Sequence, residues 1–401
     1  MNVVGIDVSK GKSTVAILTP GVGMIDPFRI THDRDGFDYL KDTISSLSGE
    51  TRVVMESTGR YHTLLADNLY RSGYFVSVLN AKLLSGFDNN SLRKVKTDCQ
   101  DSIKICNYGA TYWSTLEKYV PEESIRKDLK NLCRQRTDLL KMSTTLNNQL
   151  VSVSDIVFPG VNKVLNSVKT DGSMKWVDFI ESFHSAAKVA KMKLPSFRNS
   201  YKKFCIKHGY CYQETKADEL HSKATVFASA IEESEAACLI TNIYARQLQE
   251  INRSVAQISV KMHELSERLP EYEIVMQMYG VGKELGPQLM AEIGDVRRFH
   301  SKNALVAYAG IDPPPFQSGQ FVSKSRKISK RGSSQLRKTL FLIMKIYVVT
   351  GAEDQDIFKF IQAKRSEGKH YYSALVAGAN KFLRQYYAKV VEALGPIEEK
   401  D

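Results

Sequence analysis

The chain has 401 residues, 43% of them hydrophobic, with a formal net charge of +12. It is long enough for two or three domains, and a positive balance of this size favours a polyanionic partner, nucleic acid first, because each neutralised phosphate releases counterions. No apolar run approaches the roughly 20 residues needed to span a bilayer, and the start, MNVVGIDVSKGK, lacks the basic-then-apolar profile of a signal peptide.

Residues 1–110 read as α/β. VVGIDV (3–8) and TVAIL (14–18) are β-rich runs joined by SKGK, a hairpin signal. RVVME (52–56) and YFVSVL (74–79) are two further strands. Between them DGFDYLKDTISSL and YHTLLADNLYRSG have helical spacing, the second closed by Gly73. Strands alternating with helices predict a mixed sheet flanked by helices.

The next segment changes period. Ile125, Leu129, Leu132, Arg136, Leu139, Ser143, Leu146 and Leu150 step by four and three, a heptad seam with two polar positions. A second seam runs Tyr244, Leu248, Ile251, Val255, Ile258, Met262, Leu265, Leu269. The two seams are open to an antiparallel hairpin, to pairing between chains, or to burial in a bundle. Residues 154–230, between them, are basic and Ser-rich, and no fold is legible there. That stretch holds Cys205, His208 and Cys211, a spacing that suits zinc but lacks an evident fourth ligand. The six cysteines have no disulfide spacing, which points to a reducing cytoplasm.

Pro270 ends the second seam. EIVMQMYGVGKELGPQLMAEIG (273–294) reads helix, tight turn, helix, the helix-hairpin-helix pattern, in which Gly280, Gly282 and Lys283 would bring backbone amides and a cation to a phosphate. NALVAYAGI and SQLRKTLFLIMKIYVV are apolar helices, and a last helix spans about 372–394. Between the first two lies FQSGQFVSKSRKISKRG (316–332), which has four serines and five Lys/Arg and no acid. Ser318, Ser323, Ser325 and Ser329 are all candidate nucleophiles toward a phosphate, with Lys324, Arg326, Lys327, Lys330 and Arg331 to hold it.

Four carboxylates complete the pattern. Asp7 ends the first strand and Glu56 ends RVVME. Asp98 and Asp101 in KTDCQDS share one face near the start of a helix, which Asp98 is also placed to cap. Four converging carboxylates repel one another unless a cation joins them. A hard ion such as Mg²⁺ suits them, and two such ions would stabilise the attacking and leaving oxygens of a phosphodiester.

The order D, E, D, D on strand, strand and helix resembles ribonuclease-H/RuvC-like nucleases. The chain as a whole resembles the DEDD transposases of bacterial insertion sequences, the RuvC-like type with a C-terminal serine domain. These include the bridge-RNA-guided recombinases, and the Piv-type DNA invertases are relatives. The matching pieces are GIDVSK (5–10), MESTGRYH (55–62), SVLNAK (77–82) and KTDCQDS (96–102). At the other end they are YGVGKELGPQLMAEIGDVRRF (279–299), LVAYAGIDPPPFQSG (305–319) and SKRGSSQLRKTL (329–340). Ser102 departs from the usual Ala after the Asp pair, Ala81 from the usual Pro, and 154–230 is longer than the typical linker.

The resemblance implies a RuvC-like DEDD domain over 1–115. A helical coiled-coil linker would follow over 116–270, with an insertion at about 154–230, and a mainly α-helical serine transposase domain over 271–401. It puts metal binding on Asp7, Glu56, Asp98 and Asp101, and it singles out Ser318 as the nucleophile that forms a phosphoseryl link. It implies two Mg²⁺ ions, a structured bridge RNA, donor and target DNA, sites composed between protomers, and a homodimer assembling to a homotetramer. Three other readings stand beside it. One is a sugar- or acetate-kinase-like enzyme, disfavoured by the lack of further Gly-rich phosphate loops. Another is a RuvC-like nuclease or resolvase that uses water. The last is a non-catalytic nucleic-acid-binding protein.

Overall fold

The computed structural model describes residues 1–57, 59, 61–87, 97–230, 234–313, 317–318, 321–322 and 327–395. The chain divides into two compact units, Met1–Glu123 and Ser124–Asp401.

In the first unit, β1 (Asn2–Val8), β2 (Lys12–Thr19) and β3 (Gly23–Thr31) precede α1 (Arg34–Ser45), β4 (Thr51–Glu56), α2 (Tyr61–Arg71), β5 (Phe75–Leu79), α3 (Ala81–Gly86) and α4 (Asp98–Thr111). The strands form one sheet in the order β3-β2-β1-β4-β5. β1 pairs antiparallel to β2 and parallel to β4, so it lies at the centre and is buried along almost its whole length. β3 was not anticipated: Pro27 interrupts it and most of its residues are at least partly exposed, as befits an edge strand. One face packs on α1 and α2 through Ile6, Leu40, Met55 and Leu65. The other packs on α4 through Val3, Val54, Ile105 and Cys106.

The second unit begins with α5 (Ser124–Val157), then α6 (Val161–Val164), α7 (Lys175–Phe183), α8 (Ala186–Ala190), α9 (Leu194–Lys207), α10 (Glu214–Ala228) and α11 (Glu235–Ser266). α5 and α11 carry the two seams and close on each other within the chain. Arg136 Nε donates to Ser259 Oγ at 2.7 Å and Ser143 Oγ to Asn252 Oδ1 at 2.7 Å, so the helices run antiparallel. The two polar positions of the first seam therefore meet polar partners across the hairpin.

Residues between the seams form a helical core with many aromatics, including Phe179, Phe197, Tyr201 and Phe204, seated on Leu150 and Leu248 of the hairpin. Within it Cys205 is buried, His208 lies 3.6 Å from Asp178 and Cys211 is exposed.

The chain continues with α12 (Tyr272–Met276), α13 (Leu285–Ile293), α14 (Lys302–Ala309), β6 (Gln317–Ser318), β7 (Phe321–Val322), α15 (Ser334–Thr350), α16 (Asp356–Ser366) and α17 (Tyr371–Leu394). Leu289, Leu340, Ile343 and Phe382 form their core together with Leu129 and Met262 from the other end of the hairpin. Arg126 and Glu271, 4% and 1% exposed, make a two-pronged ion pair there, with Arg126 Nη2 2.9 Å from Glu271 Oε2. No helix among the described residues is long and apolar enough to cross a membrane.

Candidate active site

Strand register puts two of the four acids side by side. Asp7 pairs with Thr14, and Thr14 with Arg29. On the other side Ile6 pairs with Met55, which sets Glu56 next to Asp7, and Glu56 pairs with Leu79. Arg29, Thr14, Asp7, Glu56 and Leu79 thus form one row across the sheet, pointing to one face because strand side chains alternate.

α4 lies on that same face. Gly5, two residues before Asp7, donates its amide to Cys106 Sγ at 3.0 Å. A Cβ on Gly5 would sit 2.5 Å from the Cys106 nitrogen and 2.6 Å from the Ser102 carbonyl oxygen, so only glycine admits the helix this close. Further along, Gly109 lies over Val3 and Val54. From Val3 to Asp7 the strand advances about 13 Å, and from Gly109 back to Asp101 the helix covers about 12 Å. Asp101 therefore stands level with Asp7. Asp98 begins the helix, and its Oδ2 is 3.8 Å from Arg29 Nη2 in the same row. The helix cap is Thr97, whose hydroxyl accepts from the Gln100 amide; Asp98 is the first helical residue rather than the cap.

All four acids are half-buried. Among the described residues no three His, Cys, Asp or Glu are close enough to enclose one ion, the Cys205–His208–Cys211 group included. The acids do not build a closed protein cage. Their donor chemistry, hard carboxylate oxygens at the open end of a sheet, fits Mg²⁺, which is ordinarily held by one or two carboxylates with water and substrate phosphate oxygens completing its shell.

The serine stretch lies in the second unit. Ser318 and Gln317 of β6 pair with Phe321 and Val322 of β7. The Ser318 side chain and Ser323, Lys324, Ser325 and Arg326 lie outside the described residues. The base of the loop is tied shut. Ser329 Oγ donates to Asp312 Oδ1 at 2.5 Å and its amide to the Asp312 carbonyl at 2.9 Å. The Lys330 amide donates to the Gly310 carbonyl at 3.0 Å and the Ser333 amide to the Tyr308 carbonyl at 2.8 Å. Gly332 passes so near Tyr308 that a Cβ would fall 1.7 Å from its carbonyl oxygen. Lys330 holds φ = 53°, a left-handed conformation that the surrounding bonds maintain. Ser329 is thus a strut. Lys327, Lys330 and Arg331 are exposed and pair with no described carboxylate.

Behind the strut, Glu292 is buried and accepts from Arg134 Nε at 3.0 Å and Nη2 at 3.2 Å, and from Ser333 Oγ at 2.9 Å. Ser333 also caps α15 by accepting from the Leu336 amide at 3.1 Å. One carboxylate so fastens α5, α13 and the start of α15. Gly280, φ = 76°, packs on Tyr347 and Ile343, while Gly282 and Lys283 are exposed in the turn between α12 and α13. The first helix of that pair is only five residues long.

Arg29, Asp312 and Glu292 were not anticipated as site residues. Arg29 lies in the unrecognised strand, and the other two act through partners distant in sequence.

A model of the DEDD transposase domain of the IS110 type matches residues 4–159, and a model described as transposase, IS116/IS110/IS902 family, matches 272–358. The chain is 28% identical over 151 residues to the pilin gene-inverting protein of Moraxella bovis, covering 37% of this chain and 46% of that protein, so it spans just under half of that relative. It is 21% identical over 384 residues to the uncharacterized 44.8 kDa protein of insertion element IS116 from Streptomyces clavuligerus, covering 94% of this chain and 92% of that one. With the uncharacterized 42 kDa protein of insertion element IS900 from Mycobacterium paratuberculosis it shares 20% over 393 residues, 96% of this chain and 94% of that one.

Proposed function

We propose that the chain is an insertion-sequence transposase of the IS110/IS116/IS902 type, as the family models matching residues 4–159 and 272–358 support, and that it cuts and rejoins donor and target DNA through a covalent serine link. The observation that carries this reading is the acidic row: Asp7 and Glu56 side by side on the sheet, with Asp98 and Asp101 brought over them by α4.

In this reading the Ser318 oxygen attacks a DNA phosphorus. A serine O–P bond forms as the P–O bond to deoxyribose breaks, the serine proton is given up, and the departing sugar oxygen gains one. The phosphoseryl bond keeps the energy of the phosphodiester, so a hydroxyl of a new strand reverses the step without ATP. Bound Mg²⁺ would polarise the phosphate and favour the serine alkoxide. Asp7, Glu56, Asp98 and Asp101 would hold it. Lys324, Arg326, Lys327, Lys330 and Arg331 would bind flanking phosphates, as would the amides at Gly280 and Gly282 with Lys283. Ser329 and Asp312 keep the loop closed at its base. The family resemblance adds to the proposal a structured bridge RNA that selects the DNA, a homodimer assembling to a homotetramer, and acids and serine contributed by different protomers.

The test is a denaturing gel for protein–DNA adducts. It uses purified protein, Mg²⁺, labelled donor and target DNA and RNA transcribed from the flanking element, with Asp7→Ala, Ser318→Ala and Ser329→Ala beside wild type. An adduct lost in Asp7→Ala and Ser318→Ala but kept in Ser329→Ala supports the proposal. Cleavage without an adduct that survives Ser318→Ala returns the chain to hydrolytic RuvC-like chemistry. Mixing Asp7→Ala with Ser318→Ala protein restores the adduct if the two parts come from different protomers.

A further inference from the structure

The helical insertion between the seams lies within residues 160–271, which neither family model covers. Residues 182–213 contain seven Lys/Arg and no Asp or Glu. α9 supplies the centre of this run. Its inner face, Phe197, Tyr201, Phe204 and Cys205, is buried in the aromatic core. At 100° per residue the exposed positions Asn199, Lys202, Lys203, Ile206 and Lys207 fall on one arc opposite. Exposed Lys191 and Lys193 lead into the helix.

These five lysines make no ion pair with a described carboxylate. Three other exposed lysines of this unit sit beside acids one turn away, Lys141 with Asp138, Lys223 with Glu219 and Lys261 with Glu264, and half-buried Lys364 pairs with Glu367. On α9 only Arg198 is so engaged, with Glu214 and Asp218. Lys207, in the last turn, complements the helix dipole; the other four have no structural task that the fold displays.

We propose that this face of α9 is a second, sequence-independent binding surface for the phosphate backbone of duplex DNA. The inference rests on DNA being the substrate. Duplex is favoured over single strands because single-strand binders stack bases on exposed aromatics, and the aromatics of α9 all point into the core. Lysines without accompanying Arg, Asn or Gln forks on the arc other than Asn199 read charge rather than sequence.

The hairpin sets the reach of the surface. Cys133 belongs to the core of the C-terminal domain and Leu150 to that of the insertion, on the same helix. Seventeen residues separate them, about 25 Å along the axis, or about 7 base pairs at 3.4 Å each. α9 itself is about 21 Å long. The insertion would grip DNA flanking the segment held by the C-terminal domain.

Fluorescence anisotropy of a labelled 30-base-pair duplex of arbitrary sequence, with the full chain at several salt concentrations, tests this. The triple variant Lys202→Gln, Lys203→Gln, Lys207→Gln should bind at least tenfold more weakly near 100 mM salt. Its slope of log affinity against log salt should be shallower by about 2.7, or about 0.9 for each lost phosphate contact. Circular dichroism confirms folding, and the matching Lys→Arg triple should restore affinity and slope. A control pair, Lys223→Gln and Lys261→Gln, should have less effect. Unchanged binding in the Gln triple, an equal loss in the control pair, or failure of the Arg triple would each overturn the proposal. A larger loss for duplex RNA or single-stranded DNA than for duplex DNA would overturn the assignment of the ligand. Anisotropy reads binding alone and the adduct gel reads the serine chemistry, so a failure of the serine chemistry appears in the adduct assay and leaves this measurement untouched.

Discussion

Gly5→Ala is the sharpest test of how the acidic row meets α4. The added methyl would lie 2.5 Å from the Cys106 nitrogen, 2.6 Å from the Ser102 carbonyl oxygen and 2.8 Å from Cys106 Sγ. Two of these are backbone atoms of a helix interior, so no rotamer change relieves the clash and α4 must move off β1. Overpacking of this kind costs about 1–3 kcal/mol, and the backbone contacts place Gly5→Ala near the upper end, about 3 kcal/mol. Gly109→Ala is the internal control. Its methyl meets Val3 Cγ1 at 2.7 Å and Val54 Cγ2 at 2.9 Å, side-chain atoms that can give way. Alanine also gains about 1 kcal/mol over glycine inside a helix, so the net loss should stay below about 1 kcal/mol. The chain has two tryptophans, Trp113 in the first unit and Trp176 in the insertion. Urea unfolding followed by fluorescence in a Trp176→Phe background therefore reports the first unit alone. A loss under about 0.5 kcal/mol in Gly5→Ala, or a larger loss in Gly109→Ala, would refute the close helix–strand approach that brings Asp98 and Asp101 over Asp7.

Other outcomes follow from the same structure. Arg126→Met strands the buried Glu271 carboxylate and should cost about 3–5 kcal/mol, whereas the double change Arg126→Met, Glu271→Met should recover most of it in urea titrations. Arg29→Gln removes an exposed cation from beside Asp98, so stability should change by less than about 1 kcal/mol. Mn²⁺ or Mg²⁺ affinity by calorimetry should rise about fivefold in that variant, and a fall would show that Arg29 does not compete with the cation. Burial pushes the thiols of Cys106 and Cys133 up from 9.0 to about 12. The unfolded chain loses these protons first, so the stability they contribute is fully present below pH 9 and declines from there toward pH 12. Melting temperature should fall steadily over that range, and less steeply when both are replaced by Ala relative to that variant's own value at pH 8.

The strands β1, β2 and β4 were readable because central strands are continuous apolar runs, β5 because its run FVSVL is apolar although it lies at the sheet edge, and α5 and α11 because a heptad seam is a local pattern. β3 escaped notice because an edge strand needs little apolar surface and tolerates Pro27. The helices of the insertion escaped because their aromatics pack against residues far along the chain, such as Leu150 and Leu248. The short α12 and the unforeseen α16 show the same limit: their lengths are set by packing in the C-terminal core rather than by their own periodicity.

For the site, the sequence by itself determined which residue types stand at strand ends and helix starts, hence the four acids and the basic serine stretch. It also determined that Asp98 and Asp101 share a helix face, because that depends only on a spacing of three. Only the tertiary structure decided that Asp7 and Glu56 stand in one register row, that α4 descends on that row because Gly5 leaves room for it, and that Arg29 joins it from the edge. It also tied Ser329 to Asp312 by a hydrogen bond. The reason is that local periodicity is fixed within a few residues, whereas register and close approach depend on the shape of surfaces contributed by segments about a hundred residues apart.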